Sequence, residues 1–146
     1  MGQTLHLGAP TVIEAFADRT PYGALLEDDG KVAYFYALDT RLGDQPVLDS
    51  VYVYHVGSVL DHPTPELDVY VPCDVEIVWS PDQQRVALLL NGYPHAAFDF
   101  EHRRAYCRSN FPTMSSWSPA GHAWDPSAVD FLDASSGGSR EVGLSD

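Results

Sequence analysis

A chain of 146 residues fits one domain, long enough to bury roughly two-thirds of the surface that its unfolded form exposes. Its 8 Lys and Arg stand against 21 Asp and Glu, a net charge of -13, which repels phosphate backbones and anionic bilayers and so excludes nucleic acid and membrane surfaces as direct partners. Up to Asp82 there are 14 acids and 3 bases, and after it 7 acids and 5 bases, so one half carries most of the charge, either as a solubilising surface or as an attraction for a basic partner.

No N-terminal stretch joins a basic end to a long apolar core. The longest aliphatic run, Val86 to Leu90, is too short to span a bilayer. A cytoplasmic protein is expected, with a single β domain over 1–134 and a Gly/Ser-rich tail over 135–146. In that compartment Cys73 and Cys107 are expected as reduced thiols.

Met1 to Pro10 reads as a lead-in and Thr11 to Phe16 as a first strand. Gly23 to Glu27 and Lys31 to Leu38 flank Asp28-Asp29-Gly30, residues that tolerate positive φ, and so predict a hairpin. Val51 to Val56 alternates β-branched and aromatic residues as strands do. Gly57 to Cys73, containing His62-Pro63-Thr64-Pro65, reads as a long loop. From Val75 to Pro112 four apolar runs are separated by the turn residues Ser80-Pro81-Asp82, Asn91-Gly92 and His102-Arg103, which predicts an antiparallel meander. A two-residue turn at His102-Arg103 would pair Glu101 with Arg104, Phe100 with Ala105 and Phe98 with Cys107. That register puts Ala96, Phe98, Phe100, Ala105 and Cys107 on the apolar face, and sets Asp99 and Glu101 against Arg104 and Arg108 on the other. Asp125-Pro126 ahead of Ser-Ala-Val-Asp-Phe-Leu predicts one short helix, with an acid at the cap and Pro at the first turn. Leu25 to Ala37 and Ile77 to Leu89 echo each other as apolar run, acidic turn and apolar run, roughly fifty residues apart.

Glu27-Asp28-Asp29-Gly30, Tyr34-Phe35-Tyr36-Ala37, Val75-Glu76-Ile77-Val78-Trp79-Ser80, Asn91-Gly92-Tyr93-Pro94 to Phe98-Asp99-Phe100, and Tyr106-Cys107-Arg108-Ser109-Asn110-Phe111-Pro112 occur in that order. Together they resemble a small bacterial family known only as a domain of unknown function. The resemblance covers about Thr11 to Trp124 and implies a free-standing bacterial domain, with no activity attached.

Chemistry-bearing groups do not assemble into a motif. Cys107 falls on the apolar face, where desolvation disfavours a thiolate. No Gly-x-Ser-x-Gly elbow and no phosphate-cradling glycine loop occur. The six histidines, at 6, 55, 62, 95, 102 and 122, lack the tight spacing of a zinc site, so neither a metal nor another cofactor is expected. Asp28 and Asp29, beside Gly30, read as solvated turn acids. Asp99 and Glu101 read as ion-paired rather than as an acid–base couple.

The fold expected is all-β, an antiparallel meander forming a sandwich or open barrel of about seven or eight strands with one short C-terminal helix. The leading functional expectation is a non-enzymatic, acidic, protein-binding inhibitor: a cytoplasmic immunity protein that occludes the active site of a bacterial toxin, its partner being basic. Contacts are expected from Glu27, Asp28, Asp29, Asp39, Asp44 and Asp49. Tyr34 and Tyr36, sharing one strand face, and Tyr52 and Tyr54, sharing another, would serve as anchors if they do not lie in the core. The alternative is a small-ligand-binding or regulatory domain with a pocket closed by Trp117, His122 and Trp124. A third reading is a hydrolase whose His95, Asp99 and His122 assemble only in space.

Overall fold

Strict alternation of buried and half-exposed residues sets the architecture. On the strand Val32–Asp39, Ala33, Phe35 and Ala37 are fully buried while Tyr34 and Tyr36 are only half-buried, the two-residue period of a strand with one face in a core. The computed structural model describes residues 3–62 and 67–132, and these form nine strands in two antiparallel sheets. The strands are β1 (Gln3–Leu5), β2 (Thr11–Phe16), β3 (Tyr22–Asp28), β4 (Val32–Asp39), β5 (Val47–His55), β6 (Cys73–Trp79), β7 (Arg85–Leu90), β8 (Tyr93–Asp99) and β9 (Arg104–Cys107). One sheet has the order β2-β3-β4-β5 and the other β1-β6-β7-β8-β9.

The sheets pack face to face as a sandwich around Phe35 and Phe98, whose rings stack at 4.9 Å. Leu26, Val51, Val75, Val86, Leu88 and Leu90 fill the same core at 0 to 1% exposure. Tyr22 stacks on Phe100 at 4.2 Å at one end. Emptying the Phe35 site to Ala would remove about 3 to 5 kcal/mol, since the apolar transfer and a cavity are both lost.

Four local expectations are corrected. The lead-in Met1 to Pro10 contains β1, which pairs with β6 (Gln3 opposite Val75). The stretch read as a loop from Gly57 starts inside a short helix, α1 (Val56–Asp61), capped by the His55 ring; Pro63, Thr64 and Pro65 of that stretch lie outside the described residues, as does the tail over 135–146. The β8–β9 turn takes four residues, Phe100 to Arg103, so Ala96 pairs with Cys107, Phe98 with Ala105 and Asp99 with Arg104. That register differs from the expected one by an even number, so every side chain keeps its face. Finally, Asp99 takes His102 as its partner at 2.9 Å, while Arg104 stacks over Tyr106 and Arg108 over Trp124.

The short helix after Asp125 forms as expected, with the Asp125 carboxylate accepting from the Ser127 N–H and Pro126 in the first turn. Ala128 and Phe131 from this segment cover Ala87 and Ala97 on the outer face of the five-stranded sheet. The described residues include no helix long and apolar enough to cross a membrane.

Candidate functional site

The outer face of the four-stranded sheet is an apolar surface that the fold leaves open. Val12, Phe16 and Val47 are 57%, 48% and 51% exposed there. With Leu25, Tyr36, Leu38 and Pro46 they line a shallow concavity of about 440 Å³, to which Glu14 and Glu27 contribute carboxylates. Gly23 creates part of this shape: its neighbour across the ladder is Phe16, whose ring lies against the place where any Cβ on residue 23 would fall. A larger residue would lift the ring off the sheet.

An aromatic row continues the concavity along the face. Tyr36 and Tyr34 stack at 5.9 Å, Tyr34 meets Tyr52 edge-on at 4.8 Å, and Tyr52 meets Phe111 at 4.8 Å. The Tyr36 hydroxyl donates to Glu27 at 2.9 Å. Burial, reinforced by this bond, raises the Tyr36 phenol above its ordinary range, so it remains a hydrogen-bond donor. Tyr34 is raised for the same first reason, desolvation. Rigid rings with polar tips and a flanking carboxylate are what protein interfaces use as anchors.

Of the residues expected at a partner surface, Glu27, Tyr34, Tyr36 and Tyr52 are therefore brought together. Asp29 and Asp44 are exposed, Asp29 with its carboxyl held below the usual range by the Val32 and Lys31 backbone N–H groups. Asp28, Asp39, Asp49 and Tyr54 are instead buried, at 1 to 7% exposure, which corrects their assignment to a contact surface. Asp28 is no solvated turn acid either: it accepts from the Gly8 N–H at 2.7 Å, the Gly30 N–H at 2.8 Å and the Tyr54 hydroxyl at 2.6 Å. Asp39 is paired with Arg41, whose guanidinium keeps the carboxyl low.

Two irregularities in the β4–β5 ladder explain why Tyr54 faces in and Val47 faces out. Tyr34 pairs with Tyr52 but Ala33 with Tyr54, and Ala37 pairs with Asp49 but Leu38 with Val47, so β5 carries an extra residue at each step. Each bulge reverses the faces beyond it. Tyr54 thus turns inward to Asp28 although Tyr52 points out, and Val47 turns outward although Asp49 points in. A simple two-residue period, which puts Tyr52 and Tyr54 on one face, misses both. Sequence reasoning also missed Val12, Glu14, Phe16, Val47 and Phe111; the alternation Val12-Glu14-Phe16 was the available signal.

The residues expected to close a pocket separate. Trp117 is 7% exposed and packs against Phe98 and Phe100, and Trp124 lies under Arg108. His122 is fully buried, with Nδ1 2.5 Å from the Pro112 carbonyl and Nε2 2.9 Å from Asp49 Oδ2. The carbonyl can only accept, so Nδ1 donates to it, and Nε2 is held against Asp49. Ser115 Oγ donates to the same carboxylate oxygen at 2.9 Å. Neither nitrogen of His122 is left to take a proton from a substrate, and Asp99 is turned to His102, so these two members of the His95, Asp99 and His122 set have separate partners.

Cys107 and Cys73 are buried free thiols. Burial pushes Cys73 up to about 11 and raises Cys107 in the same sense. Among the described residues no cluster of three or more His, Cys, Asp or Glu is placed to hold a metal ion.

No solved structure matches this chain. An uncharacterized protein of Haemophilus influenzae is 38% identical over 124 residues, an alignment spanning 78% of this chain and 69% of that protein. A bacterial family model matches residues 5–133, and the chain accordingly belongs to the family described as "Uncharacterized protein conserved in bacteria (DUF2251)".

Proposed function

We propose that the protein is a non-enzymatic inhibitor that docks on a basic partner through the outer face of its four-stranded sheet. In this reading it is a cytoplasmic immunity protein that covers the active site of a cationic toxin domain. The observation that carries the proposal is the conjunction, on one face, of half-exposed Val12, Phe16 and Val47, the row Tyr36, Tyr34, Tyr52 and Phe111, and the carboxylates of Glu14 and Glu27. Contiguous apolar surface with a polar rim marks interaction sites. Its occupant is basic because the chain carries a net charge of -13, and a field of that sign speeds encounter with cationic surfaces and rejects acidic ones.

The test is titration with the protein encoded by the adjacent gene, together with rescue of growth on co-expression. Phe16→Ser with Val47→Ser, both at sites already half exposed, should leave the circular dichroism spectrum intact and weaken binding by at least about a hundredfold, as loss of central apolar anchors does. Glu14→Gln with Glu27→Gln should mainly slow association and flatten its salt dependence. A neighbour that forms no complex and is not neutralised removes the proposal.

A further inference from the structure

A second concavity lies away from this face, between the β8–β9 turn and the segment 116–120. It encloses about 260 Å³, with Trp117, Pro119 and Ala120 as an apolar wall and His102, Arg103, Arg104 and Ser116 as a polar one. It shares no residue with the sheet concavity.

Arg103 stands out by its backbone. Among the described residues four non-glycine ones have positive φ: Gln83, Asn91, Arg103 and Asn110. Asn tolerates this region. Gln83 uses it to join the two sheets, accepting from the Arg19 N–H at 2.8 Å and donating to Asp18 at 2.6 Å. Arg103, at φ 53, makes no hydrogen bond, ion pair or ring contact among the described residues. A turn position suited to Gly or Asn thus holds a long cation that gives the fold nothing in return, and backbone strain of this kind collects at binding sites.

We infer that this concavity binds a small anion carrying a planar apolar group, an aryl phosphate or aryl carboxylate, with Arg103 recognising the charge and the Trp117 wall the ring. Arg supplies a planar fork of donors matched to such oxyanions. The overall negative charge does not forbid it: most of the acid lies at or before Asp82, and exposed charges beyond about 8 Å are largely screened at physiological salt. Within the turn Asp99 is occupied by His102, leaving Glu101 against Arg103 and Arg104.

Phenyl phosphate is the probe, with inorganic phosphate and phenol as its two halves. Binding is read from the Trp117 indole N–H resonance, assigned with Trp117→Phe. Phenyl phosphate should shift it saturably, and each half should bind at least about tenfold more weakly, because neither supplies both contacts. Arg103→Gly, which suits positive φ, should raise the melting temperature and abolish the shift. A variant that is more stable but binds phenyl phosphate like the wild type overturns the inference, as does a Trp117 resonance that millimolar phenyl phosphate leaves unmoved.

Discussion

Asp99 accepts from the His102 backbone N–H at 3.0 Å and holds the His102 ring at 2.9 Å. That bond is the first cause of the His102 pKa lying above its ordinary 6.5. The folded state therefore favours the protonated ring. Its stabilising effect is complete below about 6.5, the unfolded value, and is lost as pH rises through the raised folded value. Asp99→Asn should return the His102 titration, followed by NMR, toward the ordinary value. The stability gap between variant and wild type should narrow as pH is raised through the same window. At this scale much was legible. Cys107 was assigned correctly to the interior because its neighbours alternate, whereas the burial of Asp28 was not, since nothing near Gly30 announces that Tyr54, 26 residues on, will reach it.

The elements were legible wherever hydrophobic period alone determines them. The hairpin β3–β4, the meander β6 to β9 and the capped C-terminal helix follow from alternation and turn chemistry. What escaped is set by pairing partners: β1 is three residues long and is a strand because β6 lies beside it, and the bulges of β5 depend on what β4 presents. The echo between Leu25–Ala37 and Ile77–Leu89 falls on β3–β4 and β6–β7, the second and third strands of their sheets in spatial order. The Asp28 network is likewise a property of elements, since it ties the β1–β2 connection, the β3–β4 turn and β5 together. Removing a donor from a buried carboxylate costs about 1.5 to 3 kcal/mol, so Tyr54→Phe should lose that much in urea denaturation. Asp28→Ala should lose about 3 kcal/mol or more, because two backbone N–H groups and the hydroxyl are stranded together. The double variant should cost less than the two losses summed.

Over the whole molecule, the chain after β9 straps the sandwich shut. Phe111 accepts from the Tyr52 N–H at 2.9 Å, Ser109 Oγ donates to the Tyr52 carbonyl at 2.5 Å, and His122 reaches Asp49 on β5, so the five-stranded sheet grips the edge of the other. At the sandwich's β6–β7 turn, Arg19 donates to the Pro81 carbonyl and Thr20 to that of Gln83. Leaving buried hydrogen-bonding groups without their partner costs about 1 to 3 kcal/mol. His122→Ala should lower stability by that amount, with near- and far-UV circular dichroism still falling in one transition, because the two sheets share one core.

Among the described residues, six of the seven ladders join strands that follow one another in the chain, and β1 with β6 is the exception. Closing it spans roughly seventy residues, the largest loop entropy of any pairing here. During synthesis β2 to β5 can zip together locally, but β1 has no ladder partner until β6 has left the ribosome. Its three residues then occupy a berth along Cys73–Val75 that any extended segment of similar character could fill. The N-terminal strand is in this sense exchangeable: crowded or slowly folding chains have a ready route to lending β1 to one another, and the short, late-arriving strand is where the fold is most open to barter.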